Sequence, residues 1–548
     1  MEKQKITTVN PQDQKYYFAD TSFNKLMKKR ISQVLLICST YDAFTLEEDG
    51  RIDEQIFLEY VSLNLRYPPK FIHASTAKKA MEILDTDNID LVITMLSIGD
   101  TDAFEFSKKI KLAYAEIPIV VLTAFSREVS LKLHHEDMSA IDYVFSWLGN
   151  ADILLAIIKL IEDRMNVEDD VFEVGVQTIL LVENSVRFYS SYLPNIYKII
   201  FKQSLMFMRE GLNEHQQMLR MRGRPKILLA RNFEEAIEFY ERYKSHMLGI
   251  ISDMSYERKG KLDNRAGIKL CERVKEEDPY MPVLLQSSEM KNKLLAKLIK
   301  VGFIYKQSKS LSIELRNFIT EFFAFGNFKF IDPDTLKVIF SASDLKSLQE
   351  VIFQVPDKSL RYHFERNHFS KWLNARALFP IAEIFKYLRP EDFQDVDQIR
   401  LFIFNTIANF RINKGRGIIS KFYSERYDEY QIFSRIGEGS IGGKARGLAF
   451  SDSIIKRNWL LDKFPGIVVT IPRTVVLSTD IFDEFMEVNS LYKIGMSDLS
   501  DERILEKFVN CALPVRIHKD MYSFIRVTNN PIAVRSSSLL EDSYYQPF

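Results

Sequence analysis

Cysteine is scarce in this chain. Cys38, Cys271 and Cys511 are the three among 548 residues, and none lies at metal-ligand spacing from another. That excludes a disulfide framework and a zinc-finger type of site, and it makes reducing cytoplasm the expected compartment. An excess of one charge is lacking too. With 74 acidic and 74 basic residues, global charge favours neither nucleic acid nor an anionic membrane as partner. No run approaches the roughly 20 apolar residues of a membrane span. The N-terminal MEKQKITTVNPQDQKYYFAD has no apolar core of the signal-peptide kind. What remains is an ordinary globular composition, 46% hydrophobic and 27% charged. A chain of this length predicts about three to five domains of roughly 100–200 residues.

After a polar segment, residues 1–30, short apolar runs alternate with amphipathic stretches. The runs are Val34–Cys38, Lys70–His73, Leu91–Thr94, Ile119–Thr123 and Ile141–Phe145, with helical spacing over Thr76–Thr86 and Ala103–Ala115. Continuous apolar strands separated by helices predict a parallel sheet covered on both faces. An acidic joint, Val167–Gly175, follows, and the pattern restarts with Thr178–Val182, Lys226–Ala230, Leu248–Ser252, Pro282–Leu285 and Phe303–Tyr305. The span Pro194–Arg222 reads as an extended helix. The chain therefore predicts two α/β repeats, residues 31–165 and 176–328. A helical connector follows over 329–430, with helices at Ser343–Phe353, Phe369–Leu388 and Val396–Gly415, Ser343 being the candidate N-cap of the first. A glycine-containing unit occupies 431–548.

In doubly wound sheets, chemistry collects at the carboxyl ends of the strands. The second repeat places Glu183 and Asn184, Asp253, Ser287 and Lys306 there. Gly249-Ile-Ile-Ser-Asp253-Met-Ser with a downstream Gly267, the Ser287-Ser288 pair and Lys306 resemble the response-regulator receiver family, which implies a flavodoxin-like fold. By that resemblance Asp253 is the phosphoacceptor, Ser287 the switch hydroxyl and Lys306 the supporting lysine. Glu183 and Asp253 would be Mg²⁺ ligands, and a histidine kinase or other protein the partner. Hard oxygens suit Mg²⁺, and an ammonium suits the charge of a transferred phosphoryl group. The family's second acid after the first strand is replaced by Asn184, so a receiver used only for docking is the alternative. The first repeat resembles the same fold without its chemistry. Met95 stands at the acceptor position and has no oxygen to offer, Ser146 stands at the lysine position, and only Asp42 and Thr123 recur. Its expected role is protein contact.

In the connector, His363 and His368 lie about 140° apart on an ideal helix, which disfavours a shared metal. Phe364, Phe369, Trp372 and Leu373 read as core anchors, and Lys414–Lys421 as a solvated loop or a neighbour of nucleotide phosphates. The final unit opens with Ile436-Gly-Glu-Gly-Ser-Ile-Gly-Gly-Lys-Ala-Arg-Gly-Leu448. Its glycines, Gly437, Gly439, Gly442 and Gly443, would let backbone amides and a helix N-terminus approach a phosphate, with Lys444 adding a charge. The spacing is not that of a Walker A loop. Pro531-Ile-Ala-Val-Arg535-Ser-Ser-Ser-Leu-Leu-Glu541-Asp542 would set Arg535 at the end of a strand.

Together with Ile471–Ser478 these motifs resemble the N-terminal ATP-grasp-like domain of the pyruvate phosphate dikinase and phosphoenolpyruvate synthase family, over roughly 435–548. The resemblance implies ATP and Mg²⁺ as cofactors. Gly442, Gly443, Lys444, Arg535, Ser536 and Ser537 would sit at the phosphates, with Ser538, Glu541 and Asp542 close by. It also implies a parent phosphotransferase that passes a phosphoryl group from ATP through histidine to pyruvate. None of the eight histidines stands in the Thr-Ser-His setting that family uses, so this stretch alone is expected to be inactive and to belong to a longer polypeptide. The alternative is a signalling or scaffold module whose C-terminal unit is not catalytic.

Overall fold

A computed structural model describes all residues except 1–22, 48–49, 64, 99–100, 125–135, 148, 150–151, 209–220, 425–429, 459, 462, 529 and 538–548. The predicted α/β architecture is present. In the first repeat, β1 (Gln33–Ile37), β2 (Lys70–Ala74), β3 (Leu91–Met95), β4 (Ile119–Ala124) and β5 (Tyr143–Trp147) form one parallel sheet in the order β2-β1-β3-β4-β5. In the second, β6 (Thr178–Val182), β7 (Lys226–Ala230), β8 (Met247–Asp253), β9 (Val283–Ser287) and β10 (Gly302–Tyr305) lie in the order β10-β9-β8-β6-β7, again all parallel. Counted from the first strand of each repeat, both follow the 2-1-3-4-5 order of flavodoxin-like folds. The inner strands are legible in the sequence because helices bury both faces, leaving runs of Val, Ile and Leu in β1, β3, β4 and β6, whereas the edge strands β2 and β10 are partly exposed. Each repeat also carries a short antiparallel hairpin after its central strand, Ser97–Ile98 with Thr101–Asp102 and Tyr256–Arg258 with Lys261–Asp263.

The acidic joint is not a linker. The helix Asp152–Asp169 runs straight into it, and a wider turn over Asp170–Val174 ends at Gly175, whose φ is +90°. Val167, Asp170 and Val171 are buried. Of the joint's acids Asp170 alone is buried, paired with the buried Lys226 at 2.7 Å, while Glu168 and Glu173 stay exposed. Arg224 forms a two-pronged pair with Asp163 at 2.6 and 2.9 Å, and Tyr197 donates to the same carboxylate at 2.9 Å. One hydrophobic core continues from Val34 and Leu36 of the first sheet, through Ile153–Ile161 and Tyr189, to Ile179 and Ile227 of the second sheet. The two repeats are one packed body.

The middle region begins with a hairpin the periodicity did not predict, Phe328–Ile331 with Val338–Ala342. Its first helix is Leu345–Val351, capped by Asp344 rather than Ser343. Asp357–Glu365 is an additional helix. The stretch read as one helix over Phe369–Leu388 is two, His368–Ala375 and Phe379–Lys386. They are broken at Ala377, whose φ is +53°, just ahead of Pro380 near the second helix's start. Val396–Gly415 is a helix with the predicted ends. The solvated-loop reading of Lys414–Lys421 is corrected as well. Arg416 is buried, and Ser420–Lys421 pairs in parallel with Phe433–Ile436, which pairs in turn with Thr474–Leu477. Among the described residues no helix is long and apolar enough to cross a membrane.

Candidate functional site

The carboxyl ends of β6, β8, β9 and β10 bring together the four side chains singled out in the second repeat. Glu183 follows β6 directly, Asp253 and Ser287 close β8 and β9, and Lys306 follows β10. Lys306 Nζ donates to Glu183 Oε2 at 2.6 Å and lies 2.9 Å from Asp253 Oδ1. All three side chains are buried or nearly so, and Glu183 is fully enclosed. Burial pushes the Glu183 carboxyl above the ordinary carboxylate range. The Lys306 ammonium pulls the other way, and the Asp253 charge adds to the rise. One ammonium between two carboxylates is the arrangement that makes so dry a pair of acids tolerable.

Glycine is required beside this pocket. A Cβ on Gly267 would stand 2.1 Å from the Asp253 carbonyl oxygen, an atom held in the sheet. Ser287 is present but engaged: its Oγ accepts from Glu289 N at 3.0 Å and from Asn292 Nδ2 at 2.8 Å. Ser288 and Asn184 are exposed. As Mg²⁺ ligands, Glu183 and Asp253 supply oxygens of the right hardness, yet Lys306 already pairs with both. Among the described residues no cluster of three or more His, Cys, Asp or Glu side chains is arranged for a metal. Periodicity did not single out Phe188, whose ring lies 4.2 Å from Lys306 Nζ. An aromatic residue one turn into the helix that follows an acid-bearing strand end is the signal that could have found it.

In the first repeat the equivalent strand ends hold Met95 and, within β5, Ser146. His73 and Cys38 meet there through a ring nitrogen and the Cys38 carbonyl at 3.0 Å. Burial, ahead of the Asp42 and Glu47 charges, pushes the Cys38 thiol up to about 12, so it is inert as a nucleophile.

In the C-terminal unit, Gly442 caps the helix Gly443–Arg457. Ala445 N donates to Ser537 Oγ at 3.2 Å, and a Cβ on Gly442 would meet the Ser537 carbonyl at 2.1 Å. Two motifs far apart in sequence thus touch at one helix start, with Lys444, Arg535 and Ser536 exposed there. Two expectations change. Residues 531–537 form no strand, and Ile532 and Val534 are exposed, with no sheet partner among the described residues. Gly439 does not present its amide to a ligand. Its loop closes on Asp480, which accepts from Gly439 N at 2.8 Å and Glu438 N at 3.2 Å and pairs with Arg516 at 2.8 Å. Burial opposes the charge on Asp480, but Ser478, Arg516 and the two amides outweigh it and hold the carboxyl well below its usual range. Ser538, Glu541 and Asp542 lie outside the described residues.

His363 and His368, predicted to face apart, meet instead. The helix breaks between them at Asn367, with φ of +56°, and their Nδ1 atoms approach to 2.9 Å.

No family model matches the chain, and no curated protein matches it. Solved structures with some likeness include a signal receiver domain of a LuxO-type repressor from Vibrio parahaemolyticus, at 20% identity over 26% of this chain and 98% of that one, TM-score 0.20. The phosphorylated cyanobacterial phytochrome response regulator RcpA is 21% identical over 24% and 92%, TM-score 0.19. A two-component response regulator/GGDEF protein is 15% identical over 52% and 96%, TM-score 0.23. Overlaps this partial decide nothing about activity, and it is the strand order that makes both repeats flavodoxin-like α/β units.

Proposed function

We propose that the chain is a signalling module in which the second repeat is a receiver-type phosphoacceptor domain and the first repeat acts by contact alone. The observation that carries this reading is the convergence of Glu183, Asp253 and Lys306 at the carboxyl ends of β6, β8 and β10. In the reaction, an Asp253 carboxylate oxygen attacks the phosphorus of a small acyl phosphate or of a partner's phosphohistidine. The bond to the donor's oxygen or nitrogen breaks, and the donor leaves with its electron pair. Lys306 offsets the charge brought to Asp253. Glu183 and Asp253, with a backbone carbonyl, are the residues that would hold Mg²⁺, which would neutralise phosphoryl oxygens. A histidine kinase is the class of protein partner that fits. The test is incubation with acetyl phosphate and Mg²⁺, followed by intact mass. Gain of one phosphoryl group, lost in Asp253→Asn, supports the reading; no gain leaves a docking module.

A second reading has its own observation, the Ala445–Ser537 contact that joins the two glycine- and serine-rich motifs. There the helix start, Gly442, Gly443, Lys444, Arg535, Ser536 and Ser537 would receive ATP phosphates in a larger phosphotransferase, with pyruvate the eventual acceptor. Calorimetric titration with Mg²⁺-ATP tests it. Binding weakened by both Lys444→Ala and Arg535→Ala supports the site, and binding indifferent to both removes it.

A further inference from the structure

The helix Val186–Met208 touches the pocket at its beginning and two other parts of the molecule along its length. Glu183 is central to this. One of its oxygens takes the Lys306 ammonium, and the other accepts Ser185 N at 3.0 Å, where Ser185 O in turn receives the first helical amides, Phe188 N and Tyr189 N. The carboxylate therefore ties the lysine to the start of the helix. One turn on, Phe188 lies under Lys306 and stacks on Tyr192 at 5.9 Å.

Next to Phe188, the helix holds the edge strand of the first repeat. Ser190 Oγ accepts Ser146 N at 2.9 Å, the Tyr189 hydroxyl donates to Val144 O, and the Tyr189 ring meets Phe145 edge-on at 5.3 Å. Pro194 sits inside the helix and supplies no amide to the Ser190 carbonyl, so the first turns are set off from the rest. At the far end, roughly 28 Å away at about 1.5 Å per residue, Phe207 lies against the Arg376 guanidinium at 4.4 Å. Arg376 is stacked on Trp372 at 3.8 Å and donates to Ala324 O and Gly326 O at 3.1 and 2.8 Å. Those residues belong to the junction with the helical region.

We infer that the Val186–Met208 helix is a relay, which reports whether Glu183 and Lys306 are paired both to β5 of the first repeat and to the Arg376 junction. The first repeat, lacking acceptor chemistry of its own, is then a fixed internal partner of the second. An anion or cation bound at Asp253 draws Lys306 or Glu183 out of its present pair, and Ser185 and Phe188 lose the contacts that set the helix start. Free energy passed in one direction must pass in the other. This inference rests on the pocket being regulatory, but its test perturbs side chains and needs no phosphorylation, so a failed acetyl phosphate experiment does not decide it.

Hydrogen exchange on the full chain is the measurement. Lys306→Met is expected to speed exchange about tenfold in 143–147 and in 324–328, with β2 at the opposite edge of the first sheet unchanged. Should Lys306→Met unfold the second repeat, Phe188→Leu removes the ring from the lysine without unpairing a charge, and the same segments should respond. In a Tyr189→Phe/Ser190→Ala background, Lys306→Met should no longer affect 143–147 while still affecting 324–328. Unchanged exchange at both segments in both site variants overturns the relay. So does an effect at 143–147 that simply adds to that of the Tyr189→Phe/Ser190→Ala pair.

Discussion

Lys306, Glu183 and Asp253 each make sense only in the presence of the other two. Replacing Lys306 by Met leaves two acids enclosed without a cation, a change that costs about 3–5 kcal/mol. The sign of its pH dependence follows from Glu183, whose carboxyl is already above its ordinary range in the folded protein and rises further without the ammonium. A raised folded-state value means stability is retained at low pH and lost as pH climbs through that value. Urea unfolding should therefore show a larger deficit for Lys306→Met at pH 7.5 than at pH 5.5. Gly267 permits no side chain, because the Asp253 carbonyl would be 2.1 Å from its Cβ. Gly267→Ala is expected to cost about 1–3 kcal/mol and to shift the urea midpoint without changing the slope.

At the scale of elements, several boundaries are set by single polar contacts. Asp344 accepts Ser347 N at 2.7 Å while Ser347 Oγ accepts Asp344 N at 3.1 Å, a reciprocal cap. Asp344→Ala should lower stability by about 1 kcal/mol, measurable by thermal unfolding, whereas Ser343→Ala should change little. The break at Asn367 puts two histidines ring to ring. His363 Nε2 accepts Ile331 N at 3.0 Å, so the proton is on Nδ1 and is donated to His368 Nδ1; both rings are neutral. Burial, helped by the Arg366 charge, lowers His363 to about 4. Below the ordinary histidine value near 6.5 the unfolded chain binds the extra proton, so stability is full above about 6.5 and falls as pH drops toward 4. The slope for His363 is about 1.4 kcal/mol per pH unit. Thermal unfolding between pH 7 and 4.5 should show this loss; His363→Gln should lessen it, with the buried His368, also held well below its ordinary value, supplying the remainder.

Over the whole molecule, the two α/β repeats share a core and a buried ion network, so they should not behave as separable domains. Asp163 is enclosed with Arg224, Tyr197 and the Ile227 amide around it. Asp163→Ala strands Arg224 in the interior, and the expected cost is about 3–5 kcal/mol. It should lower the unfolding temperature of both repeats together in a calorimetric scan. Two separate transitions, with only one displaced, would contradict the shared core. The C-terminal unit is held differently. Its small clusters around Phe433 and Ile436 are distinct from the main core.

Much of this architecture could be read from residue order. Thr178–Val182, Lys226–Ala230 and Val396–Gly415 have the boundaries their apolar patterns indicate, because burial on both faces of a strand or one face of a helix leaves a local periodic trace. The identities of Glu183, Asp253, Ser287 and Lys306 were legible for a related reason, since strand ends in a doubly wound sheet must converge. What lay beyond local pattern was decided by contacts between distant residues. The joint at Val167–Gly175 gives no local sign that Asp170 is buried against the distant Lys226. His363 and His368 met only through a left-handed residue, and the glycine-rich loop proved to close on Asp480. Sequence alone determined two α/β repeats with one furnished acidic pocket, because hydrophobic periodicity and strand-end placement are properties of neighbouring residues. The fusion of those repeats, the ammonium seated between two acids and the helix that ties them to the first repeat were decided by tertiary structure. Pairing of buried charges depends on which distant side chains the packing encloses together.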